Sequence, residues 1–158
     1  MQTLPNSLTP LLETMPSLTL ERHNHAQLST LLSDDSWVVA CLCAAWCGTC
    51  TDYRATFDAL AQRYPDIHFI WIDIEDQADV VGDLDVENFP TLLIQRSDTV
   101  AFFGPVFPEP RLAERLVNAQ VEKSAAELAT NATSNPTHRA WQQDCNLRRL
   151  LRDAIDAA

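Results

Sequence analysis

The chain has 158 residues, 46% of them apolar and 21% charged, the composition of one globular domain with short extensions. Its formal charge of −11 argues against nucleic acid and against anionic membrane surfaces, both of which are met by basic patches, so neither is expected as a partner. Residues 1–7 lack the basic start and apolar centre of a secretory signal, and no later run is long enough to span a bilayer. A cytoplasmic setting is therefore expected, where five cysteines read as buried small residues, a redox pair or a metal site rather than as structural disulfides.

Residues 1–16 mix Pro, Ser, Thr and Leu without a period and are expected to form a flexible arm. Ser17 to Glu21 alternates as a short edge strand would, and Leu28, Leu31 and Leu32 define one face of a helix over 24–32. Trp37 to Cys43 is a continuous apolar run with two valines, the pattern of a strand covered on both faces. From Cys47 to Tyr64 the apolar positions Tyr53, Phe57, Leu60, Ala61 and Tyr64 recur at three- and four-residue spacing, which predicts a helix stopped by Pro65.

Ile67 to Asp73 is the next strand, followed by a short helix over 76–83. The stretch from Asp66 to Glu87 is acidic with no Lys or Arg, which reads as a solvated face. Two further strands over 91–95 and 99–103 are joined by a hairpin-length connection, and Pro110 opens a helix carrying Leu112, Leu116, Val117 and Val121. The order strand, helix, strand, helix, two antiparallel strands and helix predicts an α/β fold: a mixed central sheet flanked by helices.

After Lys123 the composition turns to Ala, Thr, Asn and Ser and reads as a linker. From Pro136 to Ala158, Trp141, Cys145, Leu147, Leu150, Leu151, Ala154 and Ile155 form one amphipathic stripe. Such a stripe must be buried, either against its own domain or through self-association or docking to a partner. The expected division is thus an arm over 1–16, a domain over 17–123, and a linker with a helical extension over 124–158.

The chemistry concentrates in Trp46-Cys47-Gly48-Thr49-Cys50, two thiols three positions apart at a strand-to-helix junction. A helix starting near Cys47 would gather unpaired N–H groups and the positive end of its dipole at that sulfur, which favours the thiolate and makes Cys47 the attacker. Cys50, one turn later and less exposed, would resolve the mixed disulfide. Gly48 and Thr49 set the turn between them. A cage of Cys41, Cys43, Cys47 and Cys50 around zinc or an iron–sulfur cluster is the metal alternative, but a buried central strand is a poor place for it, and no metal or other cofactor is expected. The four histidines offer no ligand spacing or oriented base, and Cys145 reads as a small apolar residue of the tail.

From about Ser17 to Val121 the chain resembles the thioredoxin-like family. The resemblance rests on Ala45-Trp46-Cys47-Gly48-Thr49-Cys50 after a buried strand, on Phe89-Pro90-Thr91-Leu92-Leu93-Ile94 some forty residues later, and on the order of elements. It implies a thioredoxin fold, a protein disulfide oxidoreductase, and disulfide-bearing protein substrates, with thioredoxin reductase-like protein or glutathione as the electron donor. It further implies that Pro90 is cis and that Phe89 offers its backbone to a substrate strand ahead of Thr91, with Trp46, Pro90 and Gly104-Pro105 as an apolar rim around Cys47. Three positions depart from the pattern. Cys41 and Trp71 stand where many members have a buried Asp and a Lys, and Thr49 stands where they usually have Pro. These departures imply an altered rate and redox potential. The alternative reading is an interaction module or assembly chaperone that keeps the scaffold for binding, with the acidic face and helical tail as its working parts.

Overall fold

A computed structural model describes residues 17–158, so the arm expected over 1–16 lies outside the described residues. Five strands form one mixed sheet: β1 (Leu18–Thr19), β2 (Trp37–Cys43), β3 (His68–Asp73), β4 (Thr91–Arg96) and β5 (Thr99–Pro105), in the spatial order β1-β3-β2-β4-β5. β2 runs parallel to β3, and β3 to β1, while β2–β4 and β4–β5 are antiparallel. β2 lies at the centre with helices over both faces, which is why its sequence does not alternate: Val38 to Cys43 are all buried. Between β4 and β5 the chain reverses at Ser97-Asp98, with Ser97 in the left-handed region at φ 50°.

The faces divide cleanly. Val38, Ala40, Leu42, Ile70, Ile72 and Leu93 point into one core, closed by α1 (His25–Ser33) and the short α3 (Ala78–Val81). Val39, Cys41, Cys43, Phe69, Leu92 and Ile94 point into the other, closed by α2 (Gly48–Arg63) and α4 (Pro110–Val121). α2 buries Cys50, Tyr53, Phe57, Leu60 and Ala61, the stripe its spacing predicts. It ends in a tight turn before Pro65, with the Tyr64 N–H on the Ala61 carbonyl at 3.2 Å.

The tail differs from the sequence expectation in its local structure. Three helices occupy it: α5 (Ala125–Ala132), α6 (Pro136–Asp144) and α7 (Leu147–Ala157). α5 falls where composition suggested a linker, and its start is set by a reciprocal cap in which the Glu127 N–H reaches Ser124 Oγ at 3.1 Å and the Ser124 N–H reaches Glu127 Oε1 at 2.9 Å. The single stripe over 136–158 breaks at Cys145-Asn146, because Asn146 turns extended and caps a new helix, its Oδ1 accepting the Arg148 N–H at 3.1 Å.

This tail packs on its own domain. Cys145, Leu147 and Leu151 are buried in the core beneath α1 and α3, and Trp141 meets Phe102 edge to face at 5.7 Å. Gln142 grips the outer edge of β5, accepting the Val100 N–H and donating to its carbonyl, both at 2.8 Å, so edge groups that would template another strand are satisfied internally. The buried Gln95 of β4 does the same for α7: its Oε1 accepts the Leu147 N–H at 2.8 Å, and its amide donates to Asn146 Oδ1 at 2.8 Å and to the Ser97 carbonyl at 2.8 Å. Among the described residues, no helix is long and apolar enough to cross a membrane.

Candidate active site

β2 ends at Cys43, and four residues carry the chain up to Gly48, where α2 folds back over the strand end. Cys47 is the N-cap, with φ −88° and ψ 117°. Its N–H bonds the Ala44 carbonyl at 3.0 Å, and its carbonyl accepts the Thr51 N–H at 3.2 Å. Its thiol is free and half-buried at the open start of the helix. Gly48 and Thr49 are exposed in the first turn, and a Cβ at Gly48 would meet nothing, so no neighbour demands glycine there. Cys50 is 2% exposed and faces the sheet.

The sulfur bonded to Cys50 is that of Cys43, with the two Cα atoms 5.7 Å apart, well inside disulfide range. This differs from the Cys47–Cys50 pair that the motif spacing suggested. The reason lies in the alternation of β2, which turns Cys41 and Cys43 to the α2 side and sets Cys43 beneath the first turn. The signal was present in sequence, since two cysteines two apart on a strand share a face. What was missing was the height at which α2 crosses it.

Cys41 lies 3.8 Å from Cys43, sulfur to sulfur. Burial pushes the Cys41 thiol far above its ordinary range, only partly offset by the charge of Arg54, so it keeps its proton at neutral pH. Trp71 is the register partner of Cys41 on β3. Arg54 sits with its guanidinium 4.9 Å from the Trp71 ring centroid and donates to Ser17 Oγ and Thr19 Oγ1 at 3.1 Å each and to Asp58 Oδ1 at 3.2 Å. Sequence reasoning missed this cation, which arrives from α2 over the strand position where many members of the family carry a Lys. Tyr53 completes the layer. Its hydroxyl is buried with no hydrogen-bond partner among the described residues, and burial raises its pKa.

On the outer side, Trp46 is 67% exposed and meets Phe89 edge to face at 5.6 Å. The Phe89–Pro90 bond is cis. Neither the N–H nor the carbonyl of Phe89 has a backbone partner among the described residues, whereas the Pro90 carbonyl accepts the Val106 N–H at 3.0 Å. Thr91 is buried, paired with Leu42 at the end of β2, and donates its hydroxyl to the Asn88 carbonyl at 2.7 Å. Gly104 pairs with Leu92, and a Cβ there would press on the Phe102 ring at 3.2 Å. Phe107, 78% exposed just beyond Val106, adds an apolar side chain that the sequence reading did not single out. Among the described residues, no group of three or more His, Cys, Asp or Glu side chains is placed to hold a metal ion.

The structure thus gathers Cys41, Cys43, Cys50 and Trp71 below the start of α2 and Cys47 at its cap, with Trp46 and Phe89 at the surface beside it. Cys145 is apart, in the opposite core, where burial pushes its thiol up to about 12.

Comparison with known proteins points to one family and its fold. The family profile described as Thioredoxin matches residues 16–116. A Streptomyces coelicolor protein named "Putative thioredoxin 2" is 29% identical over 108 residues, 64% of this chain and 81% of that one. Thioredoxin of Ophiophagus hannah is 34% identical over 61 residues, covering 39% of this chain and 58% of its own length. Among solved structures, a poplar thioredoxin h superposes with a TM-score of 0.61 at 20% identity, over 69% of this chain and 99% of that one.

Proposed function

The chain belongs to the thioredoxin family and is an oxidoreductase of that family with a disulfide-forming cysteine pair, and from this premise we propose that it exchanges disulfides with protein substrates through Cys47 as nucleophile and Cys50 as resolving thiol. The observation that carries the reading is the difference in access: Cys47 reaches solvent at the start of α2, where unpaired N–H groups favour negative charge, while Cys50 lies 2% exposed one turn below it.

In the proposed cycle the Cys47 thiolate attacks one sulfur of a substrate disulfide. That bond breaks, one substrate sulfur leaves as a thiolate, and a mixed disulfide remains on Cys47. Cys50 then attacks the Cys47 sulfur, releases the second substrate thiolate and closes the Cys47–Cys50 bond, so two electrons pass to the substrate. The unpaired backbone groups of Phe89 support the docking of an extended substrate segment beside Cys47, with Trp46, Pro90 and Gly104 as its apolar rim. A thioredoxin reductase-like protein or glutathione would return the electrons.

Rate and potential are proposed to be atypical. Cys41 keeps its proton and so cannot accept the one that Cys50 must lose, and Trp71 under Arg54 offers no carboxylate in its place. Introducing a carboxylate by Cys41→Asp is expected to speed the resolving step about a hundredfold, the low side of what a positioned base contributes. Thr49→Pro is expected to make the couple more reducing against glutathione buffers. The proposal as a whole is tested by trapping: Cys50→Ser should hold a substrate protein in a mixed disulfide on Cys47, and Cys47→Ser should abolish insulin reduction. Recovery of no disulfide-linked partner, with no insulin reduction by the wild type, would move the function to partner binding; insulin reduction surviving Cys47→Ser would instead move the nucleophile to another cysteine. Against that alternative stands the tail, whose apolar stripe is largely spent on the chain's own core.

A further inference from the structure

We propose that Cys43 is a third redox cysteine: the disulfide made at Cys47–Cys50 passes inward to Cys43–Cys50 and releases Cys47 as a free thiol at the surface while the protein stays oxidised. This rests on the oxidoreductase reading above and adds to it a second oxidised state with different chemistry.

The geometry places Cys50 between two suitors. On one side, Cys43 is bonded to it across a Cα separation of 5.7 Å. On the other, Cys47 caps the same helix three residues earlier, the Cys-x-x-Cys spacing of a reversible thiol pair. Cys50 can satisfy only one at a time. The alternatives differ in exposure, since Cys43 and Cys50 are 1% and 2% exposed while Cys47 is half-buried at the surface.

The transfer step is an isomerisation and needs no external oxidant. The Cys43 thiolate attacks Cys50 Sγ, the Cys47–Cys50 bond breaks, and Cys47 leaves with the electron pair. The proton given up by Cys43 ends on Cys47 or in solvent, and the number of disulfides stays at one. One feature favours this direction and a second makes the attacking thiolate available. The leaving sulfur departs at the N-terminus of α2, where negative charge is stabilised. The attacking sulfur is approached at 3.8 Å by Cys41, which keeps its proton and, with Cys43 in the disulfide, can only be the donor of that contact. Cys41 is thereby a positioning residue for Cys43.

The consequence is chemical. A bond buried between β2 and α2 is out of reach of a protein reductase, and it reopens only when Cys47 attacks Cys50 from above. Until then the free Cys47 can attack a second disulfide, for instance that of glutathione, forming a Cys47–glutathione bond and releasing one glutathione thiolate. Cys50, occupied by Cys43, cannot resolve that adduct, so the oxidised protein holds its partner covalently.

The test uses the full chain, reduced and then treated with one equivalent of diamide, acid-quenched at successive times, unfolded, alkylated with N-ethylmaleimide and mapped by fragment mass spectrometry. In the wild type, Cys47 should be protected early and become alkylated in most molecules later, as Cys43 becomes protected. In Cys43→Ala, Cys47 should stay protected together with Cys50. In Cys47→Ser, protection of Cys43 should appear at least about tenfold more slowly. Lasting protection of Cys47 in the wild type, or equal rates of Cys43 protection with and without Cys47, would overturn the transfer while leaving the oxidoreductase reading intact. Alkylation of both Cys47 and Cys50 throughout in Cys43→Ala would overturn both. The wild-type time course decides the matter even if a variant folds poorly.

Discussion

Replacing Gln95 by Leu tests how the tail is held. The new side chain is close in size but cannot bond, so three hydrogen bonds of 2.8 Å disappear together. Their losses are unequal. The Ser97 carbonyl lies at a part-exposed turn where water can replace the amide, and Asn146 Oδ1 keeps the Arg148 N–H at 3.1 Å. The Leu147 N–H has no such recourse, because Leu147 is 1% exposed and its N–H belongs to the first turn of α7, which has no intrahelical acceptor. An orphaned buried donor costs about 1–3 kcal/mol, which puts the whole change near ~2 kcal/mol. For a domain of this size that is a fall of about 4–8 °C in Tm. Urea unfolding should show the midpoint moving down with an unchanged slope, since the folded state buries the same surface. A double-mutant cycle with Asn146→Ala should give a coupling of at least about 0.5 kcal/mol. A loss below about 0.5 kcal/mol for Gln95→Leu would mean that water reaches the junction, and the account of the tail as part of the core would fall with it.

Tyr53→Phe should act in the opposite sense, because it removes a buried hydroxyl with no partner: stability is expected to rise by roughly 1 kcal/mol or more, and a loss in urea unfolding would mean that the hydroxyl is bonded after all. Trp46→Ala, which removes a largely exposed ring from the rim, should lower kcat/KM for a folded protein disulfide about tenfold and leave a small-molecule disulfide unaffected; equal losses on both would refute its docking role. Asp35 is held below the usual carboxylate range by the Arg96 guanidinium, which donates to it at 2.8 and 2.7 Å. Its contribution is therefore present at neutral pH and lost as pH falls below about 4 through the lowered folded value. Asp35→Asn should flatten the acid limb of a plot of unfolding midpoint against pH, and an unchanged limb would show the pair to be without effect.

The strands and helices of the domain were legible because local patterns carry them. The unalternating run at Trp37–Cys43 could only be a strand with two covered faces, and the spacing of Tyr53, Phe57 and Leu60 could only bury one side of a helix. The cis Phe89–Pro90 bond was reachable through the motif that surrounds it. The tail was half legible: its stripe demanded burial, but the break at Asn146 and the helix at Ala125–Ala132 depend on caps whose value shows only once the termini they serve are placed.

By itself, the sequence determined the sheet, the helix that starts after Cys47 and the thiols on offer, since period and cap are properties of neighbours along the chain. The tertiary structure decided which thiols meet. Cys43 and Cys50 come together because α2 crosses the end of β2 at one particular height. Arg54 comes to cover Trp71 because a helix turn and a strand position converge. Gln95 finds Leu147 from 52 positions away. Contacts of that kind depend on the packing distance and offset between elements, which side-chain volumes in the shared core set and no local pattern encodes.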